Sequence, residues 1–152
     1  MRQAFEKAGN FIDLPDQRAW VVFSGQTDLP WLNLLKEGYR HCFVLLNDGR
    51  RWITIDPLAN YTDIRVHDIS SDFDLPRWLQ IRGDRILPAR IRRKDKQAPC
   101  MPFSCVEVVK RVLGIHAKWI VTPWQLYRFL EKEQTARIFQ THQNNGDFVW
   151  EA

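Results

Sequence analysis

The stretch Gly38-Tyr-Arg-His41-Cys-Phe-Val-Leu-Leu-Asn47-Asp48-Gly49-Arg50-Arg51-Trp52-Ile-Thr-Ile-Asp56-Pro57 decides the fold class. Tyr39 to Leu46 and Arg51 to Asp56 are two β-prone runs, and the Asp-Gly between them is a strong signal for a two-residue hairpin turn. With Asp48 and Gly49 at the tip, Leu45 stands opposite Trp52, Phe43 opposite Thr54 and His41 opposite Asp56. Opposed residues share a sheet face with Cβ atoms about 4.5–5.5 Å apart. The sequence therefore predicts His41, Phe43, Trp52, Thr54 and Asp56 on one face. Cys42, Val44 and Leu46 fall on the other, where they read as core.

Upstream, Arg18 to Phe23 reads as a strand closed by Ser24-Gly25. Thr27 and Asp28 are N-cap candidates for a short helix that starts with Pro30 and stops at Gly38. Downstream, Asp63 to Asp68 alternates as a third strand, Asp74 to Gln80 reads as a short helix, and Ile86 to Arg92 as a strand marked at an edge or bulge by Pro88. Lys94 to Pro99 is a polar loop. Ser104 then caps a helix beginning at Cys105 and ending at Gly114, with Cys105, Val108, Val109 and Val112 at helical spacing. Trp119 to Val121 is strand-like, Thr122-Pro123 opens a helix through Leu130, and Ala136 to Phe139 reads as a last strand. Strands in succession with helices packed against them imply an α+β fold, a small antiparallel sheet against the Cys-bearing helix. Residues 1–17 read as a lead-in, 18–140 as one domain and 141–152 as a polar tail.

The whole chain has 152 residues, 45% hydrophobic and 26% charged, which describes a globular domain and excludes fibrous and membrane-spanning classes. Three cysteines cannot complete a disulfide framework. The charge of +4 is spread along the chain. Its only dense run, Arg90 to Lys96, reads as a solvated strand end and loop, so no nucleic-acid partner is expected. No stretch has signal-peptide or membrane-span character, and the expected location is cytoplasmic, or virion-associated if the chain is phage-encoded. His41, Cys42, Cys100, Cys105, His67 and His116 lack any paired zinc spacing, so neither metal nor cofactor is expected. The seven tryptophans imply an aromatic core or cleft. Trp20, Trp31, Trp78, Trp119 and Trp124 are expected in core or seams, and Trp52, on the face of His41, as a substrate-binding cleft wall.

Cys105 is the candidate nucleophile. In the first turn of a helix, free backbone N–H groups and the positive dipole end favour a thiolate. Lowering a thiol by about three units is worth about 4 kcal/mol. The reaction also needs an imidazole in reach and a group that fixes its tautomer. His41 and Asp56 supply these if the Cys105 helix packs on their face. Alone, a cysteine in an apolar helix is ordinarily a small core residue, and a His facing an Asp is ordinarily a cross-strand pair. Together they outline a catalytic triad. Cys100, five residues upstream, reads as a resolving thiol or an inert loop thiol.

Gly38-Tyr-Arg-His41, Ile55-Asp56-Pro57 and the later Phe103-Ser-Cys105-Val-Glu-Val-Val resemble the circularly permuted papain-like cysteine hydrolases of the NlpC superfamily, which include the lecithin:retinol acyltransferase-like proteins. In that group the His and its polar partner precede the Cys. The resemblance spans about residues 18–130. It implies Cys105 as nucleophile, His41 as base, Asp56 as orienter, and a thiol peptidase or amidase whose substrates are cell-wall peptides, other amides or lipid acyl esters. The flanking Thr122-Pro-Trp-Gln-Leu-Tyr127 is similar to uncharacterised bacterial and phage proteins. The competing expectation is a non-catalytic structural or interaction module of the same fold, assembled for example into a phage particle.

Overall fold

The structure, a computed structural model, describes residues 18–26, 30–92 and 100–145, without the side chains of residues 31 and 141–145. The lead-in 1–17, the caps Thr27 and Asp28, and the Lys94–Pro99 loop lie outside the described residues. Five strands, β1 (Arg18–Ser24), β2 (His41–Asn47), β3 (Trp52–Pro57), β4 (Thr62–His67) and β5 (Arg85–Ala89), form one sheet in the order β4-β3-β2-β1-β5, every pair antiparallel. Three helices accompany it: α1 (Leu75–Ile81), α2 (Cys105–Leu113) and α3 (Pro123–Asn145), with a 3₁₀ turn at Pro30–Leu34. The fold is α+β, an antiparallel sheet packed against the Cys-bearing helix.

The hairpin is wider than a two-residue turn. Its ladder runs from Asn47–Trp52 through Leu45–Thr54 to Val44–Ile55, two residues away from the expected register. A type I′ turn on Asp48-Gly49 needs positive φ at both. Here only Gly49 has it, at 84°. Side chains close a broader loop instead: Asn47 Oδ1 accepts from Gly49 N at 2.8 Å, and Asp48 Oδ1 accepts from Arg50 N at 2.8 Å and Arg51 N at 2.6 Å. Because side chains alternate with period two, a shift of two residues keeps every one on its expected face. His41 and Asp56 become diagonal rather than opposed neighbours.

Each face of the sheet carries its own core. Val22, Leu45, Trp52 and Ile86 pack beneath Leu75 and Leu79 of α1. On the other face Val21, Phe23, Cys42 and Val44 meet Val106, Val109 and Leu113 of α2 and Leu126 and Leu130 of α3. The Cys105 helix thus covers the face opposite to the one expected, because that face presents the larger continuous apolar surface to its Val106–Val109–Leu113 stripe. Trp52 is 2% exposed and packs on Trp20 with ring centroids 5.2 Å apart, so it is core and walls no cleft. Trp119, expected in a seam, is exposed, its ring edge-on to Phe129.

Helix boundaries follow capping chemistry. Asp74 Oδ1 accepts from Arg77 N at 2.9 Å ahead of α1, and Ser104 Oγ accepts from Glu107 N at 3.2 Å ahead of α2. At the other end of α2, Ile115 N donates to Lys110 O at 2.8 Å and Gly114 N to Arg111 O at 3.4 Å, a Schellman closure with Gly114 at φ 68°. A Cβ at Gly114 would meet Arg92 O at 2.9 Å. Gly114→Ala is therefore expected to cost about 2 kcal/mol or more, from left-handed strain plus this contact. Urea unfolding measures it, and a loss below about 0.5 kcal/mol would show that neither constraint holds.

The C-terminal half of α3 departs from expectation. Neither the strand at Ala136–Phe139 nor the one at Trp119–Val121 forms, and α3 runs unbroken to Asn145, past the expected domain end at residue 140. Glu131 to Gln140 contains no glycine or proline and is rich in Glu, Lys, Gln, Ala and Arg, all good helix formers. Ile138 and Phe139, which suggested a strand, are exposed on the helix. Among the described residues no helix is long and apolar enough to cross a membrane.

Candidate active site

The first residues of β2 and α2 meet at one end of the sheet. Ser104 caps α2 and leaves Cys105 as its first helical residue, among backbone N–H groups that have no intrahelical acceptor. Cys42, the second residue of β2, points into the core under α2 and places its thiol against Cys105. His41 precedes it at the strand's head, where its ring reaches the sulfur of Cys105 although its neighbours Phe43 and Leu45 belong to the opposite face. His41 Nε2 bonds Asp56 Oδ1 at 2.7 Å, and both side chains are partly buried. With Nε2 taken by the carboxylate, Nδ1 is the nitrogen left to the thiol. The structure brings Cys105, His41 and Asp56 together and leaves Trp52 out.

The electrostatics favour an ion pair. Cys105 is lowered to about 5, first by the hydrogen bond from the Cys42 thiol, then, against the opposing effect of burial, by the bond to His41 and its charge and by the backbone N–H of Cys42. Burial alone would lower His41. Burial is the largest single influence, but the hydrogen bond to Asp56, the bond to Cys105 and the two negative charges together outweigh it, so His41 rises to about 9. Between those values the resting state is thiolate and imidazolium. Cys42 is pushed in the opposite direction, well above the ordinary thiol value, by burial and by the neighbouring Cys105 charge. It stays a neutral donor.

Cys42 is the site residue that sequence reasoning missed. Its alternation with His41 placed it in the core, and it is core, at 0% exposure. Because α2 packs on that face, the same position also sets it beside Cys105.

A cavity of about 680 Å³ opens on the α1 face, lined by Phe43, Leu45, Leu75, Trp78 and Leu79 and reaching Asp56. Its polar members are the Thr54 hydroxyl, which bonds His67 Nε2 at 2.7 Å, and Asp63 paired with Arg65 at 2.6 Å. Asp56 therefore touches His41 on one side and this cavity on the other. Among the described residues no cluster of three or more His, Cys, Asp or Glu side chains could hold a metal ion.

This constellation defines a class of site: a thiol at a helix start, an imidazole electrostatically coupled to it, and a carboxylate bonded to the imidazole. Comparison of the chain with known protein families, with curated proteins and with solved structures finds no match.

Proposed function

We propose that this chain is a cysteine hydrolase or acyltransferase of the permuted papain-like kind, acting on amide, peptide or ester carbonyls through an acyl-enzyme on Cys105. The observation that carries the reading is His41 standing between two partners, bonded to Asp56 through Nε2 at 2.7 Å and electrostatically coupled to Cys105 at the start of α2. Cys105 Sγ attacks the carbonyl carbon and the carbonyl π electrons move to oxygen. The N–H of Cys105, free of an intrahelical partner, donates to that oxyanion. His41 gives its proton to the leaving nitrogen or oxygen, the carbon–heteroatom bond breaks, and a thioester remains. His41, now neutral, takes a proton from water or an incoming amine, which attacks the thioester and releases Cys105. Asp56 holds the imidazole in the required tautomer throughout. The apolar cavity that reaches Asp56, lined by neither Cys105 nor His41, favours substrates with an apolar group remote from the scissile bond, such as the far part of an acyl chain or an apolar side chain of a cell-wall peptide.

Iodoacetamide at pH 6 tests the activated thiol. A thiol at about 5 is about nine-tenths ionised there, and one near 8.5 about 0.3%. The roughly 300-fold gain in thiolate is offset about 25- to 55-fold by the lower nucleophilicity of a low-pKa sulfur. Cys105 is therefore expected to alkylate about tenfold faster than glutathione, and His41→Ala to remove the advantage. Labelling of Cys105 no faster than glutathione, or unchanged in His41→Ala, would favour a non-catalytic module of the same fold, such as a component of a larger particle.

A further inference from the structure

We propose that Cys42 and Cys105 form a reversible redox pair, in which a peroxide oxidises Cys105 and Cys42 then closes a disulfide onto it. Two cysteines 63 positions apart in sequence are brought together by the packing of α2 on β2, which seats Cys105 against the buried cluster that contains Cys42, and each thiol acts on the other electrostatically. Their accessibility is asymmetric. Cys105 is partly exposed and open to a small oxidant, whereas Cys42 is fully buried and reachable only through Cys105. Cys42 has no other nucleophilic role in the proposed reaction. Cys100 sits nearer in sequence but is exposed at the edge of the described residues, with no contact to Cys105 among the described interactions.

The chemistry balances with one equivalent of hydrogen peroxide. The Cys105 thiolate attacks one peroxide oxygen, the O–O bond breaks, and hydroxide leaves, so that Cys105 becomes a sulfenic acid. The Cys42 sulfur then attacks the sulfenic sulfur. The S–S bond forms, the S–O bond breaks, and the hydroxyl departs with the Cys42 proton as water. Two electrons pass from the pair of thiols to the peroxide. The first step prepares the second, because the negative charge on Cys105 is one of the causes that hold the proton on Cys42, and the sulfenic acid is neutral. Capture by Cys42 diverts Cys105 from further oxidation to the irreversible sulfinic acid.

The inference rests on the same activated Cys105 as the proposed reaction, so both are measured on one sample. The reduced full-length chain is treated with a several-fold excess of hydrogen peroxide, enough to supply the second equivalent that a sulfinic acid requires, digested without reductant and read by mass spectrometry. In parallel, its reduced form is alkylated with iodoacetamide at pH 6. A peptide pair joined through Cys42 and Cys105, formed in the wild type and in Cys100→Ser and reversed by dithiothreitol, is the expected result. In Cys42→Ala the link is absent, Cys105 proceeds to sulfinic acid, and dithiothreitol no longer restores it. A Cys100–Cys105 link, or sulfinic Cys105 in the wild type at the rate seen in Cys42→Ala, overturns the redox pair. Fast alkylation without the disulfide overturns this inference alone, and absent alkylation overturns the proposed function with it.

Discussion

A His41→Ala variant is expected to lose about 10³-fold in the turnover of an anilide substrate such as p-nitroacetanilide at pH 7, within the range that removal of a general acid–base typically costs. The loss has two parts. Cys105 loses the hydrogen bond and positive charge that help hold it at about 5, and the leaving group loses its proton donor. The pH profile separates them. In the wild type, kcat/KM rises as pH climbs through about 5, where the thiolate–imidazolium pair forms, and falls through about 9, where the imidazolium loses its proton. Both limbs belong to the coupled pair. In His41→Ala the acidic limb moves upward and the alkaline limb disappears. Asp56→Ala gives the complementary result. The Asp56 hydrogen bond is the largest influence raising His41 against burial, so without it the alkaline limb moves down from about 9. Turnover in that variant is expected to fall about 10²- to 10⁴-fold. An Asp56→Ala protein with reduced turnover but an alkaline limb still near 9 would show that the carboxylate only supports the hairpin.

The readings that succeeded from sequence rest on local physics. Ser104, Cys105 and Gly114 were legible as the start and stop of α2 because caps act within one turn of chain. The faces of β2 and β3 were legible because alternation tolerates a register error of two, so His41 and Asp56 shared a side even though the turn was wider than Asp-Gly implies. What was not legible is which sheet face α2 covers. That choice depends on competition between two apolar surfaces assembled from five strands, and both surfaces carry large hydrophobes. The site tolerates the reversal because His41 stands at the head of its strand, where its ring can reach over the sheet's end to the helix start. Farther along β2 the same reversal would have separated imidazole and thiol by the thickness of the sheet. It instead adds a second sulfur, Cys42, whose role no residue spacing announces. The run from Glu131 to Phe139 misled for the opposite reason: Ile138-Phe139 resembles a strand locally, while the helix formers before it carry α3 straight through.

Lys110→Met is expected to cost about 3–5 kcal/mol of stability, the range for removing one partner of a buried ion pair. Lys110 is 2% exposed, yet its ammonium group is held by two carbonyl hydrogen bonds and one ion pair. Nζ pairs with Glu107 at 2.9 Å and donates to Ala117 O and Ile120 O at 3.0 Å each. It thereby ties the last turns of α2 to the segment that leads into α3, and so fixes the helix that carries Cys105. Methionine fills the volume but leaves two carbonyls without a donor and leaves buried Glu107 with Arg111 alone at 2.9 Å. The deficit has a defined pH dependence. Burial pushes the Glu107 carboxyl up, and Lys110 and Arg111 together hold it below the ordinary carboxylate value. A group so depressed contributes stability above its unfolded value and loses it as pH falls through the folded one. Without Lys110 the folded value rises, so Glu107 can protonate in place. The deficit of Lys110→Met relative to wild type, measured by urea unfolding, should be greatest at neutral pH and shrink as pH falls through the carboxylate range. The double variant Glu107→Gln/Lys110→Met should recover part of the loss, with a coupling energy of about 1–3 kcal/mol, because it leaves no buried charge unpaired. A deficit that is independent of pH, together with additive single variants, would mean that Lys110 acts through its two carbonyl bonds and not through Glu107.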